Sequence, residues 1–223
     1  MQNKISLYYR LILFLTIISP GIIFAQTDNT YPTQMGFGIK TGITYSSLII
    51  GIPIQQMNTD IEPGFGLTFS YIDKKTVGIQ LELNYISKSW KENPSGDYLF
   101  KSRLNYIEFP MLTTLHFGNR LKFIVNFGPY ISVLLKEESS HNVDQTSNYF
   151  EFYEKRAPRK GDFGICGGAG LRYQSKLGLF QLEARYTYGF QNIYDPEKTN
   201  IDYSNMTSLG VFLSYQFLFA NGH

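Results

Sequence analysis

Residues 207–219, TSLGVFLSYQFLF, alternate between two kinds of side chain. Leu209, Val211, Leu213, Tyr215, Phe217 and Phe219 share one face with Thr207; Ser208, Gly210, Phe212, Ser214, Gln216 and Leu218 share the other. A period of two is that of a β-strand, whose successive side chains point to opposite sides. The stretch is longer than the roughly five to six residues usual in a soluble sheet. It fits the roughly 9–11 residues that take a tilted strand across a bilayer. One face is large and apolar, and the other is smaller and more polar over its first half.

Seven earlier stretches repeat the pattern, at about 35–47, 61–72, 76–90, 102–117, 122–135, 161–173 and 178–190. Phe37, Ile39, Ile43 and Tyr45 oppose Gly36, Gly38, Lys40 and Gly42; Val77, Ile79, Leu81 and Leu83 oppose Gly78, Gln80, Glu82 and Asn84. The connections run long, short, long in strict order. Short turns stand at Asp73-Lys74-Lys75, Gly118-Asn119-Arg120 and 174–177, with longer loops at 48–60, 91–101, 136–160 and 191–205. That order, with an even strand number, predicts an all-β chain: an eight-stranded antiparallel up-and-down transmembrane β-barrel with both ends on the short-turn side. Pro110 predicts a bulge or bend in the fourth strand, because it donates no ladder hydrogen bond. The apolar 48–54 segment, LIIGIPI, is expected to pack over the mouth or form an interaction surface.

The faces are inverted relative to a soluble protein. The bulky apolar face is placed against lipid, and Gly, Ser, Thr, Gln and charges are placed in a polar interior. A soluble lipocalin-type barrel would instead crowd about forty large side chains inside eight strands, more than such a barrel holds. Most strand glycines share the interior phase, where they leave room for larger neighbours. Closure requires the last strand to pair with the first around 37–45, with Phe212 and Leu218 fitted against Gly36, Gly38 and Gly42. Tyrosines near strand ends, and Trp90, are expected in interfacial girdles.

Composition fits the same picture. The 223 residues carry 16% aromatics and 20 glycines, a mixture that favours strands over helices. Net charge is +2, too balanced to indicate nucleic-acid binding. Cys166 is the single cysteine, so no internal disulfide forms, and it reads as a small residue on a crowded strand face. Residues 1–25 read as a signal peptide: Lys4 and Arg10 precede the apolar run 11–24, and Ala25 offers a small cleavage residue. Residues 26–34 form a short polar leader, 35–219 the barrel domain and 220–223 a C-terminal tail.

The chemistry-bearing residues lie mostly on the interior phase. Lys40, Glu82, Glu108, Lys122, Arg172, Glu183 and Arg185 are charges that burial obliges to pair. A lumen network is expected from Lys40, Glu82, Glu108, Arg172, Glu183 and Arg185, with Gly168 or Gly170 lying across from Glu183. No catalytic set, metal site or cofactor motif is found. His116, His141 and His223 lack ligand spacing, and the GICGGAG run at 164–170 precedes no helix, so it is no phosphate loop. The 136–160 loop carries Tyr149, Phe150, Phe152 and Tyr153 among charges, which reads either as a strand extension or as a partner-binding surface.

Several stretches carry a family resemblance: GIKTGITYSSL in the first strand, LNYIEFPMLTTL in the fourth, NFGPYISVLL in the fifth and GGAGLRYQ in the sixth. Across 35–219 the chain resembles the bacterial outer-membrane β-barrels labelled porin-like or PorT-like, with an OmpA-like eight-stranded barrel. The resemblance implies residence in the cell outer membrane, contact with outer-membrane lipid, and delivery by the barrel-assembly machinery. GVFLSYQF near the C-terminus is similar to that machinery's recognition signal, with Gly210, Leu213, Tyr215 and Phe217 as signal positions. Some relatives assist protein secretion. The expected role is therefore structural, adhesive or secretion-assisting and non-enzymatic, with an unidentified surface or secretion partner and no nucleic acid. Two alternatives stay open: a small-solute channel, and a lipid-modifying enzyme using His141 with Ser139 and Ser140.

Overall fold

The computed structural model describes residues 33–50, 57–58, 60–92, 100–141, 159–194 and 203–220. The predicted signal peptide therefore lies outside the described residues, as do Tyr149, Phe150, Phe152, Tyr153 and His223. The strands are β1 (Gln34–Ile50), β2 (Met57–Asn58), β3 (Ile61–Ile72), β4 (Val77–Glu92), β5 (Phe100–Gly118), β6 (Leu121–His141), β7 (Gly161–Ser175), β8 (Gly178–Gly189) and β9 (Ser204–Ala220). Two-residue β2 pairs only with the end of β4, Met57 opposite Glu92 and Asn58 opposite Lys91. The other eight close a ring, each antiparallel to its neighbours, with β9 against β1 and β4 against β5.

Alternation decides which way the ring faces. Phe65, Ile79, Phe123, Phe163, Leu182 and Leu213 all stand exposed on the outside. Lys40, Glu82, Asn84, Gln181, Glu183 and Arg185 are buried inside. In water such a surface would expose apolar area on every strand, at roughly 25 cal/mol per Å²; in hydrocarbon it is the favoured face, and closure leaves no unpaired strand edge. The short turns are tight where glycine permits: Gly118 (φ 120°) and Gly178 (φ 142°) adopt backbone conformations that disfavour a Cβ.

The seam between the chain's ends fits as expected. Gly36 lies opposite Leu218, Gly38 opposite Gln216 and Gly42 opposite Phe212. A Cβ on Gly42 would come within 2.5 Å of the Phe212 ring and also meet the Val211 carbonyl oxygen. A Cβ on Gly210 would meet the same ring at 2.5 and 2.8 Å. Phe212 thus fills the lumen over two glycines, one on each side of the seam.

Four details differ from the sequence expectation. β1 runs on to Ile50 and β6 to His141, so 136–141 are strand rather than loop. Alternation weakens in LLKEESSH because a strand beyond the bilayer no longer needs one apolar face. The register shift falls between Asn105 and Tyr106 rather than at Pro110. Pro110 acts more locally: the β4 ladder omits Phe109 and Pro110, where the ring nitrogen has no proton to donate. Trp90 is fully buried inside the barrel, not in a girdle, because it shares the inward phase of Gln80, Glu82 and Asn84.

Candidate functional site

The lumen is filled in layers. At its centre Glu82 on β4 accepts hydrogen bonds from Lys40 Nζ at 2.8 Å, Arg185 Nη1 at 2.7 Å and Nη2 at 2.8 Å, Gln80 at 2.6 Å and Asn84 at 2.8 Å. Glu183 on β8 accepts from Arg185 Nε at 2.8 Å and Nη2 at 3.0 Å, and from Gln181 at 2.9 Å. Arg185 thereby clamps both carboxylates. Its fixed fork of donors suits that role, which a lysine's point charge does not reproduce.

Arg172 joins through neutral side chains. It donates to Gln181 Oε1 from Nε at 2.9 Å and from Nη2 at 2.5 Å, and to Gln80 Oε1 at 2.8 Å. Its Nη1 lies 3.1 Å from His116 Nε2, which must accept, because a guanidinium offers only donors. Each glutamine then donates to its own glutamate, Gln80 to Glu82 and Gln181 to Glu183. The arrangement has a sequence signature: Gln-Leu-Glu occurs at 80–82 and again at 181–183. β4 and β8 stand four strands apart in a ring of eight, so the two tripeptides face each other across the lumen.

Phe212 packs into this layer. Lys40 Nζ sits 4.1 Å from its ring centroid and the Arg185 guanidinium 5.7 Å, cation–π positions that add to the ion pairs. Gly168 lies opposite Arg185 and Gly170 opposite Glu183, and a Cβ at Gly168 would stand 2.7 Å from Glu183 Oε1.

Glu108 belongs to a second cluster, a correction to the single network expected. Lys88 Nζ lies 3.5 Å from Glu108 and 3.7 Å from Asp162, and 5.2 Å from the ring centroids of both Tyr106 and Tyr130. The Tyr130 hydroxyl donates to Asp162 Oδ2 at 2.9 Å. Lys88, Asp162 and Tyr130 were not among the expected network residues, although Lys88 shares the inward phase of Glu82.

Toward the long-loop end the lumen is stoppered by apolar side chains. Leu48, Trp90, Leu104, Tyr106, Ile193, Tyr194 and Met206 form one buried cluster, with Leu134 packed against it. They come from the long-loop ends of β1, β4, β5 and β9 and from the segment after β8. Trp90 and Tyr194 meet edge to face with ring centroids 6.4 Å apart. Leu48 brings the start of the apolar 48–54 segment into this stopper. Above it, Asp60 pairs with Lys91 at 2.6 Å and Lys101 at 2.7 Å, and Glu62 with Arg103 at 2.9 Å. Hydrogen bonds from Lys101 first, then Lys91, hold the Asp60 carboxyl below its ordinary pKa.

The remaining expected positions do not converge on one site. Leu213 and Phe217 face outward, Gly210 faces inward, and half-buried Tyr215 donates its hydroxyl to the Leu177 carbonyl at 2.6 Å. Ser139 and Ser140 are exposed on β6, and the backbone of His141 pairs with Phe100. Cys166 is buried beside Leu112 and Tyr130. Among the described residues no three His, Cys, Asp or Glu side chains converge as metal ligands would.

The sequence model of the family described as outer membrane protein beta-barrel domain matches residues 24–195. No curated protein matches the chain. Among solved structures it is similar to the outer membrane protein OprG from Pseudomonas aeruginosa, at 13% identity and TM-score 0.50, covering 87% of this chain and 99% of that one. It is also similar to Ail, the attachment invasion locus protein of Yersinia pestis, at 13% identity and TM-score 0.43, covering 84% and 100%. Outer Membrane Protein W of E. coli gives 14% identity and TM-score 0.40, covering 86% and 100%. At 13% identity, what the chain shares with OprG is the fold.

Proposed function

The chain belongs to the outer membrane protein β-barrel domain family, and on that premise we propose that it acts through its surface rather than through its lumen. It is an integral outer-membrane barrel, and the role assigned here is structural, adhesive or secretion-assisting, with the loops meeting an unidentified surface or secretion partner. The PorT-like resemblance of its strands favours the secretion-assisting form. No reaction is assigned to it.

The observation carrying this reading is the filled lumen. An apolar stopper of seven buried side chains lies over two buried ion clusters. A solute passing through would have to displace the stopper and then separate Arg185 from both carboxylates. Breaking one buried ion pair alone costs about 3–5 kcal/mol. Biogenesis by the barrel-assembly machinery, engaging Gly210, Leu213, Tyr215 and Phe217 on β9, belongs to the same proposal.

Proteoliposome swelling tests it. Vesicles carrying the folded protein should swell in small sugars and amino acids no faster than empty vesicles. Swelling that rises with protein and falls with solute size would establish the channel alternative instead.

A further inference from the structure

Three turns close the short-turn end of the barrel, and each has an exposed basic residue at its tip: Lys75, Arg120 and Lys176. Lys74 is half-buried beside Lys75, and Asp73 is the single carboxylate in these turns. They join β3 to β4, β5 to β6 and β7 to β8, so they occupy three quarters of the rim. The β9–β1 seam occupies the fourth.

Beside the charges stand apolar side chains just as exposed. Leu177, next to Lys176, is 78% exposed; Leu121, next to Arg120, is 57% exposed. Tyr215 ties the Leu177 turn to the wall through its hydrogen bond, and its ring lies 4.9 Å from those of both Phe180 and Phe217. A turn projecting into water gains nothing by presenting leucine. A leucine beside a cation, continuous with an aromatic girdle, fits the boundary between acyl chains and headgroups, where the amine reaches the phosphate level. Short turns of such barrels face the periplasm.

We infer that Lys75, Arg120 and Lys176 form a ring that binds the phosphates of anionic phospholipids in the periplasmic leaflet. Charge complementarity selects the ligand, and the neighbouring leucines place it in the membrane rather than in solution. The inference needs the barrel in its membrane but does not depend on whether the lumen conducts.

The test uses the full mature chain in nanodiscs of equal phosphatidylglycerol and phosphatidylcholine, with retained lipid read by native mass spectrometry. One basic residue strengthens binding to an anionic surface roughly fivefold, about 1 kcal/mol, so wild type should retain the anionic lipid several-fold over the zwitterionic one. K75Q/R120Q/K176Q should return to the bulk ratio, while K75R/K176R keeps the enrichment. Heat-modifiable gel migration identifies folded protein in each case. Absence of enrichment in wild type, or its persistence in the glutamine variant, would overturn the inference. So would soluble polyphosphate binding that the glutamine variant loses while lipid retention is unchanged; that result would assign the ring to a soluble polyanion.

Discussion

Glu82→Gln is the sharpest perturbation of the lumen. The glutamate side chain is fully enclosed and pairs directly with both Lys40 and Arg185. Glutamine keeps the shape and one acceptor oxygen but removes the charge, so Lys40, Arg172 and Arg185 are left with Glu183 as the carboxylate of that layer. Removing one partner of a buried pair costs about 3–5 kcal/mol, because the other charge stays buried without compensation. Adding Lys40→Met removes the extra cation and keeps most of its stem. It gives up the contact over Phe212, worth about 0.5–2 kcal/mol. The double variant should therefore be less destabilised than the sum of the singles, by about 1–3 kcal/mol. Guanidinium unfolding in lipid vesicles measures this, followed by emission of Trp90, the single tryptophan, and by heat-modifiable migration. A Glu82→Gln variant within about 0.5 kcal/mol of wild type, or strictly additive losses, would refute the idea that the ion pairs to Glu82 hold this layer together.

Three further outcomes are expected. Gly210→Ala should destabilise by about 1–3 kcal/mol through overpacking and be largely rescued by Phe212→Leu, because the ring end is what its Cβ meets; Gly42→Ala should be rescued much less, because its Cβ also meets the Val211 backbone. Paired unfolding curves decide this. Trp90→Ala should cost about 3–5 kcal/mol as a core truncation yet leave vesicle swelling at background, since the ion layers below remain; swelling in this variant would make the stopper the sole seal. Asp60 has a folded-state pKa lowered by Lys101 and Lys91, so its rim contribution is present at neutral pH and is lost as pH falls through about 4 and below. In unfolding measured from pH 7 to pH 3, Asp60→Asn should flatten the acid-side decline, and an unchanged profile would remove the rim pair from the stability of this end.

The strands were legible because a membrane barrel writes its two environments into every second residue. The apolar phase of 207–219 points outward as expected, and β9 meets β1 with Phe212 opposite Gly42. The charge layer was legible in part. Formal charges mark Glu82, Glu183 and Arg185, but Gln80 and Gln181, which link Arg172 to the glutamates, carry none. Only the repeated Gln-Leu-Glu tripeptide hints at them, and its meaning needs the ring, which sets β4 opposite β8. Trp90 and Lys88 were misplaced or passed over for a related reason. The habit of tryptophan in such barrels puts it in girdles, whereas the inward phase of β4 runs through both Lys88 and Trp90. The division into two ion clusters depends on strand register, which lines Glu108 up with Ser132 and Asp162 within reach of the Lys88 amine, and alternation carries no information about register.

The filled lumen is tested most directly by planar-bilayer recording of the folded wild-type protein in molar potassium chloride. The expected trace stays at the bare-membrane baseline, without sustained steps. Sustained, large open-channel currents that scale with inserted protein would contradict a lumen closed by the Trp90 stopper and the Glu82–Arg185–Glu183 layer.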